Sequence, residues 1–151
     1  MSAPISVVIP TLNSADNLPA TLLSLMEGLE AGLICEVVVT DGGSTDASGS
    51  IALDWGAEVI TGAASRGGQL RRGVAVTRGA WIMVLHADTI LQEGWAEQVK
   101  AHMQQGPLCF SLAFRARGLA ARWGAAWANL RSEVLGLPFG DMGLLLGRVE
   151  Y

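Results

Sequence analysis

The residues of this sequence that are able to do chemistry sit where apolar runs end. In Glu36-Val-Val-Val-Thr-Asp-Gly-Gly-Ser-Thr-Asp46 a β-branched run, Val37 to Val39, breaks at Asp41 into a glycine pair. Gly42 and Gly43 carry no Cβ, so unusual dihedrals cost little and a ligand can approach the backbone closely. Ser44, Thr45 and Asp46 are residue types that cap a following helix. The carboxyl end of a strand is where open α/β sheets hold their ligands, although an Asp-Gly pair after a strand also makes an ordinary turn. Asp88 stands just past a second apolar run, Trp81-Ile-Met-Val-Leu85. Its carboxylate could ligate Mg2+ or Mn2+, and such an ion would neutralise a departing diphosphate. His86, two residues earlier on the same side of an extended segment, could be a second ligand or contact the diphosphate. Its softer nitrogen shifts the expectation toward Mn2+, and a purely structural His-Asp pair is the alternative. Arg66, followed by Gly67 and Gly68, makes a turn suited to an anion at a helix start. Arg71, Arg72 and Arg78 can equally be solvated charges on a helix face, a reading preferred for Arg72 and Arg78. Neither the P-loop pattern nor Gly-x-Gly-x-x-Gly occurs, which argues against those two phosphate-binding frameworks.

Elements at fixed positions must hold these groups. Residues 5–9 form a continuous apolar strand ended by Pro10. Leu18, Leu22, Leu25 and Leu29 then recur at helical spacing, with Ser14 or Asp16 as cap, Pro19 in the first turn and Gly32 at the end. With the strand at 37–39 this is a β-α-β unit, for which a right-handed crossover is expected. The rhythm continues with a helix over 46–55, a strand over 57–61, a helix over 69–77 entered through residues 65–68, a strand over 81–85 and a helix over 94–105. On that last helix Trp95, Val99 and His102 or Met103 share a face. Residues 108–114 read as a strand, 118–135 as a helix, 137–143 as a loop and 144–146 as a final strand. Such alternation predicts an α/β fold, a mostly parallel sheet with helices on both faces. Four loops, around Asn13, Asp41, residues 65–68 and residues 86–88, would meet at one sheet edge, and that rim suits a nucleotide.

A chain of 151 residues is one domain by length. A net charge of −4 without a basic stripe argues against nucleic acid as a partner. Cys35 and Cys109 lie in apolar, strand-like segments and read as buried thiols in a reducing compartment. No signal peptide is visible, and no apolar stretch reaches the roughly 20 residues of a membrane span. Cytoplasmic is therefore the expected location.

Taken together, Ser6-Val-Val-Ile-Pro-Thr-Leu-Asn13, Glu36-Val-Val-Val-Thr-Asp-Gly-Gly-Ser-Thr-Asp46, Arg66-Gly-Gly-Gln-Leu70 and Leu85-His-Ala-Asp88 resemble the family 2 glycosyltransferases of the GT-A fold. Residues 86–89 and Leu135-Gly-Leu-Pro-Phe-Gly-Asp-Met-Gly143 further resemble a bacterial subgroup labelled arsenosugar-biosynthesis glycosyltransferases. The resemblance implies a single GT-A-like domain over 1–151, with a nucleotide-sugar-binding half over 1–105 and the start of an acceptor-side half over 106–151. It implies that Pro10, Thr11 and Asn13 sit beside the nucleotide base and that Asp41 contacts the base or ribose. Arg66 would line the diphosphate and Asp88 would be the metal-binding aspartate of an Asp-x-Asp motif, with Gly42, Gly67 and Ala87 in the same binding set. Two positions depart from the pattern. Gly42 stands where many relatives carry a second aspartate, and His86 replaces the first aspartate of the metal motif. A Glu-Asp pair bearing the catalytic base is also absent: Gly140 holds the glutamate position before Asp141, and Phe139-Gly-Asp-Met-Gly143 resembles the subgroup's acceptor-side loop, so Asp141 is a substrate-site candidate first and a candidate base second. A chain shortened at its C-terminus is the expectation.

The implied reaction is inverting, metal-assisted transfer of a sugar from a nucleotide-diphosphate sugar to an unidentified acceptor, using Mn2+ or Mg2+. Its rival is a non-catalytic nucleotide-sugar-binding remnant lacking the base. A nucleotidyltransferase would want a glycine-rich triphosphate loop after the first strand, and Pro10-Thr-Leu-Asn13 is not one. Arg117, Arg122 and Arg131 around Trp123 and Trp127 suggest membrane-surface association through residues 118–131, or plain core packing. An uncovered last strand would favour a homo-oligomer.

Overall fold

The computed structural model describes residues 3–103, 108–109 and 143–148. Its elements run β1 (Ile5–Thr11), α1 (Leu18–Ser24), α2 (Met26–Glu30), β2 (Ile34–Asp41), α3 (Ser48–Asp54), β3 (Glu58–Thr61), α4 (Arg66–Val76), β4 (Trp81–Val84), α5 (Trp95–His102), β5 (Leu108–Cys109) and β6 (Leu144–Gly147). One sheet holds all the described strands, in the order β3-β2-β1-β4-β6-β5. β1 pairs in parallel with β2 and β4, and β2 with β3. β6 runs antiparallel to both β4 and β5. β1 is central because it can be: Ile5, Val7, Val8 and Ile9 are each 0% exposed, and full burial of such a side chain contributes about 1.5–3 kcal/mol.

The two faces of β1 meet different helices. Ile5, Val7 and Ile9 join Leu18, Leu22, Leu25, Trp95, Val99, Met83 and Leu145 in one apolar cluster on the side of α1, α2 and α5. Val8 points the other way, onto α4. Gly73 lies so close there that a Cβ would come within 2.9 Å of Thr40 and closer still to Val8. The sheet therefore has helices on both faces. The chain winds from β1 outward to β3 over one face and returns to β4 through α4 on the other.

Several local expectations are corrected. The leucine-spaced helix is two short helices that meet at Leu25. Gly28 in α2 is pressed against the Trp95 ring, and the Trp95 Nε1–H donates to the Ser24 carbonyl at 3.0 Å. Neither Ser14 nor Asp16 caps α1; Asn17 holds that position and makes no side-chain cap. Cys35 is exposed, not buried: the register with β1 shifts between Ile5 and Ser6, and Cys35 is the extra residue, between Ile34, which is buried, and Glu36. The last described strand is not outermost: β6 lies between β4 and β5, with β5 pairing at Leu144 and Leu145, and Leu145 is 0% exposed. The amino end of the sheet is knit by polar groups. The Ser6 hydroxyl donates to Glu36 at 2.5 Å and accepts from the Gly79 N–H at 2.8 Å, and Arg78 pairs with Glu36 at 2.8 Å.

Candidate functional site

At the carboxyl end of the parallel strands, side chains stitch the loops to one another. Asn13 has a left-handed backbone, φ 48°, which asparagine tolerates better than most residues. Its N–H donates to Ser44 Oγ at 2.8 Å, and its Oδ1 accepts from the Thr45 N–H at 2.8 Å. Next to it, the Ser14 N–H donates to Ser48 Oγ and the Ala15 N–H to Asp46 Oδ2, at 2.8 and 2.9 Å. The loop after β1 is thus fastened to the loop after β2 before any ligand arrives. Asp46 has its carboxyl held below the usual range by the Ser48 hydroxyl and the Ala15 and Ser48 N–H groups.

Asp41 pairs in register with Thr11 and is 6% exposed. Its carboxylate accepts from the Ser44 hydroxyl, from the Gly43 and Ser44 N–H groups at 3.0 and 2.8 Å, and from the Thr11 hydroxyl at 3.3 Å. Burial alone would raise its carboxyl; the Ser44, Gly43 and Thr11 donors outweigh it and hold the group below the usual range. Asp41 is ionised and committed to its own turn.

A cleft of about 180 Å³ opens beside it, lined by Pro10, Thr11, Leu12, Arg66, Gln69 and His86. β1 supplies one wall, the end of β4 the second and the start of α4 the third. This is the point where the winding reverses, with β2 on one side of β1 and β4 on the other, which is where open α/β sheets place ligands. Ser65 caps α4, its Oγ accepting from the Gly68 N–H at 3.3 Å, so the positive end of an 11-residue helix faces the cleft together with Arg66. The Arg66 guanidinium contacts His86 Nε2. Gly67 is open, with nothing within 4 Å of where its Cβ would lie.

Asp88 is exposed and makes no hydrogen bond or ion pair with any described residue. Just before it, the Ala87 carbonyl accepts from the buried Thr21 hydroxyl at 2.8 Å, which anchors the turn that presents Asp88. Among the described residues no group of three or more His, Cys, Asp or Glu could hold an ion alone. The donor set still fits a hard divalent cation that arrives on a phosphate, since Mg2+ in particular is commonly held by one or two carboxylates plus phosphate and water oxygens. With His86 engaged by Arg66, Asp88 is the ligand at hand.

The structure thus gathers Pro10, Thr11, Arg66 and His86 around one cleft, sets Asp41, Gly42 and Asn13 behind it as scaffold, and places Asp88 at the same sheet edge. Gln69 is the residue that sequence reasoning missed. It stands within the quoted Arg66 to Leu70 segment, and the one available signal was an amide four residues past a cap position. Arg72 is also more than a solvated charge: it packs against Gly62 and donates to the Ala63 carbonyl at 2.9 Å. Asp141 and residues 118–131 lie outside the described residues, as does the remainder of the strand expected over 108–114.

The sequence model of Glycosyl transferase family 2 matches residues 6–136, well over half of the chain. This chain belongs to glycosyl transferase family 2. A curated relative, the PGL/p-HBAD biosynthesis glycosyltransferase of Mycobacterium tuberculosis (strain ATCC 25618 / H37Rv), is 38% identical over 101 residues, covering 62% of this chain and 39% of the relative. A crystal structure of glucosyl-3-phosphoglycerate synthase from Mycobacterium tuberculosis in complex with Mn2+, UDP and glucosyl-3-phosphoglycerate superposes with a TM-score of 0.71 at 22% identity, over 97% of this chain and 57% of that one. The same enzyme with Mg2+ and UDP gives a TM-score of 0.71 at 23% identity. At such identity the likeness is one of fold, and it confirms the GT-A-like class. The chain spans 39% of that curated relative and 57% of that solved one. The family match does not reach the arsenosugar-biosynthesis subgroup. Among the described residues, no helix of this family 2 chain is long and apolar enough to cross a membrane.

Proposed function

We propose that this chain carries the donor site of a glycosyltransferase, binding a nucleotide-diphosphate sugar and transferring its sugar, with inversion, to a hydroxyl acceptor whose identity the sequence leaves open. The observation that carries the reading is the cleft at the reversal point of the sheet, where the Arg66 guanidinium and the amino end of α4 converge on one anion-sized space. The base and ribose would lie against Pro10 and Thr11, with Asp41 holding Thr11 and the glycine turn in place behind them. The diphosphate would face Arg66, Gly67 and His86. Asp88 would hold a divalent ion, Mn2+ or Mg2+, which on binding adds positive charge opposite the leaving diphosphate. Arg66 serves the same end by stabilising the charge that grows on the departing oxygen. The UDP, Mn2+ and Mg2+ held by the structural relatives support this choice of ligands.

The domain reading is one unit over 1–151, its donor half at 1–105. Asp141, in the later half, is the proposed proton acceptor, and a free thiol at Cys35 accords with a cytoplasmic setting.

Thermal melts with UDP-, GDP- and dTDP-sugars, each with and without Mn2+, test the proposal. A ligand at about a hundred times its Kd stabilises by about 2.7 kcal/mol, which raises the melting temperature by roughly 5–11 °C in a chain of this size. The expected result is a rise with one base, larger with Mn2+, and loss of the metal-dependent part in Asp88→Asn. Silence toward every diphosphate would overturn the assignment. Binding without turnover would instead favour the non-catalytic binding module.

A further inference from the structure

Gln69 is 5% exposed on the floor of the cleft, and its amide is engaged at both ends. Nε2 donates to the Thr11 carbonyl at 2.8 Å and to the Thr40 carbonyl at 2.7 Å. Oε1 accepts from the Ser65 N–H at 3.3 Å. One side chain therefore ties the last residue of β1, the penultimate residue of β2 and the N-cap of α4. The fit depends on Gly42. A Cβ there would lie 3.1 Å from Gln69 Oε1 and 3.2 Å from the Ala64 Cα, so a second carboxylate at position 42 and this amide compete for the same space. Gly42 also donates to the Thr11 carbonyl at 2.8 Å, which puts two donors on that oxygen.

The connectivity shows why such a tie matters. Along the chain, Arg66 is separated from β1 by β2 and by the edge strand β3, so the covalent path does little to fix its distance from Thr11. Gln69 supplies the short path. We infer that Gln69 is a positioning residue of the donor site: it sets the separation between Thr11, which meets the nucleoside end, and the Arg66 turn, which meets the diphosphate. This inference rests on the donor-site reading above.

Titration calorimetry of the full chain with UDP, GDP and dTDP, each with Mn2+, tests it. Gln69→Leu keeps the volume and removes the amide, and it should weaken binding of the preferred diphosphate about tenfold or more, as expected when a preorganised site is loosened. Ser6→Ala is the control, since it removes hydrogen bonds at the opposite end of the sheet. It should lower the melting temperature yet leave Kd within roughly twofold, as befits distant, independent sites. Gly42→Ala leaves every hydrogen-bonding group in place and displaces the amide by a few tenths of an ångström; it should weaken binding about threefold, and it carries the test if Gln69→Leu does not fold. A Kd unchanged in Gln69→Leu, or unchanged in Gly42→Ala, overturns the positioning role while leaving the donor site intact. Equal weakening in Gln69→Leu and Ser6→Ala overturns it as well, since general loosening would then be the cause. If the wild-type chain binds none of the three diphosphates, the donor-site reading and this inference fall together.

Discussion

Replacing Asp41 separates scaffold from ligand contact at the end of β2. Asp41→Ala removes the acceptor shared by the Thr11 and Ser44 hydroxyls and by the Gly43 and Ser44 N–H groups. Gly43 is exposed and Ser44 half-buried, so water replaces much of what those donors lose, at about 0.5–1 kcal/mol each. Thr11 is 2% exposed, and its hydroxyl left without an acceptor costs about 1–2 kcal/mol. The expected loss is about 2.5–5 kcal/mol, or roughly 5–20 °C in a melt followed by circular dichroism. Asp41→Asn can keep its carbonyl toward the two backbone donors while the hydroxyls turn to accept, so it loses only the charge assistance, about 1 kcal/mol. The pH dependence follows from the lowered carboxyl of Asp41. A depressed folded-state value contributes stability that is complete above the unfolded value, about 3.9, and is lost as pH falls through the folded value. Urea unfolding between about pH 7 and pH 3 should therefore show the gap between wild type and Asp41→Asn closing only at the acid end. An Asp41→Ala chain that melts within about a degree of wild type would refute the scaffold role.

Two further perturbations test the packing that holds the site's frame. Gly28→Ala places a methyl group inside the Trp95 ring's contact with α2; overpacking of this kind costs about 1–3 kcal/mol, and an unchanged melt would deny the contact. Glu27→Ala removes the carboxylate that accepts from the Gly94 and Ala96 N–H groups at 2.9 and 3.0 Å and so caps α5 from a neighbouring helix. The loss should be about 1 kcal/mol, read as roughly fivefold faster amide exchange at Ala96 if α5 opens locally.

How much of this could be read from the sequence depended on how far apart the interacting residues lie. β1, β2 and β4 were legible because the buried parts of parallel strands are unbroken apolar runs, and Pro10, Asp41 and His86 mark where those runs stop. β3, Glu58–Thr61, is only half-buried at its centre and was legible from the alternation of strands and helices. The rim followed from the strand ends alone. The break at Leu25 was hidden because the leucine spacing runs straight through it; the residue that meets the chain there, Trp95, donates to the Ser24 carbonyl and lies against Gly28 from 67 positions along the chain. Gln69 was hard to read for the same reason: its partners Thr11 and Thr40 are 58 and 29 residues away, and the local signal, an amide four residues past the Ser65 cap, says nothing of the two strand ends it shares. Arg78 looked like a solvated charge and is indeed 80% exposed, yet it closes on Glu36, whose side chain is only 7% exposed. β6 read as an uncovered last strand, but in the sheet it is inserted between β4 and β5, since pairing follows the ladder and not chain order.

The polar groups at the rim divide into two sets, and the division is physical. Asp41, Asn13, Asp46, Ser48 and Gln69 spend their hydrogen bonds on backbone and side chains of neighbouring loops. Each such bond lowers the entropy that the loops would otherwise lose when a ligand orders them, so the cost falls on folding and not on binding. Asp88 and Gly67 are the opposite case: an exposed carboxylate that bonds to no described residue and a glycine with open space around it. A carboxylate left solvated on an anchored turn remains available to a cation, and a bare backbone at a helix start remains available to an anion. Arg66 and His86 stand between the two sets, in contact with each other and lining the cleft. A diphosphate entering there would meet a frame already fixed and charges already turned toward it, which is the arrangement that favours stabilising a leaving group over merely holding a substrate.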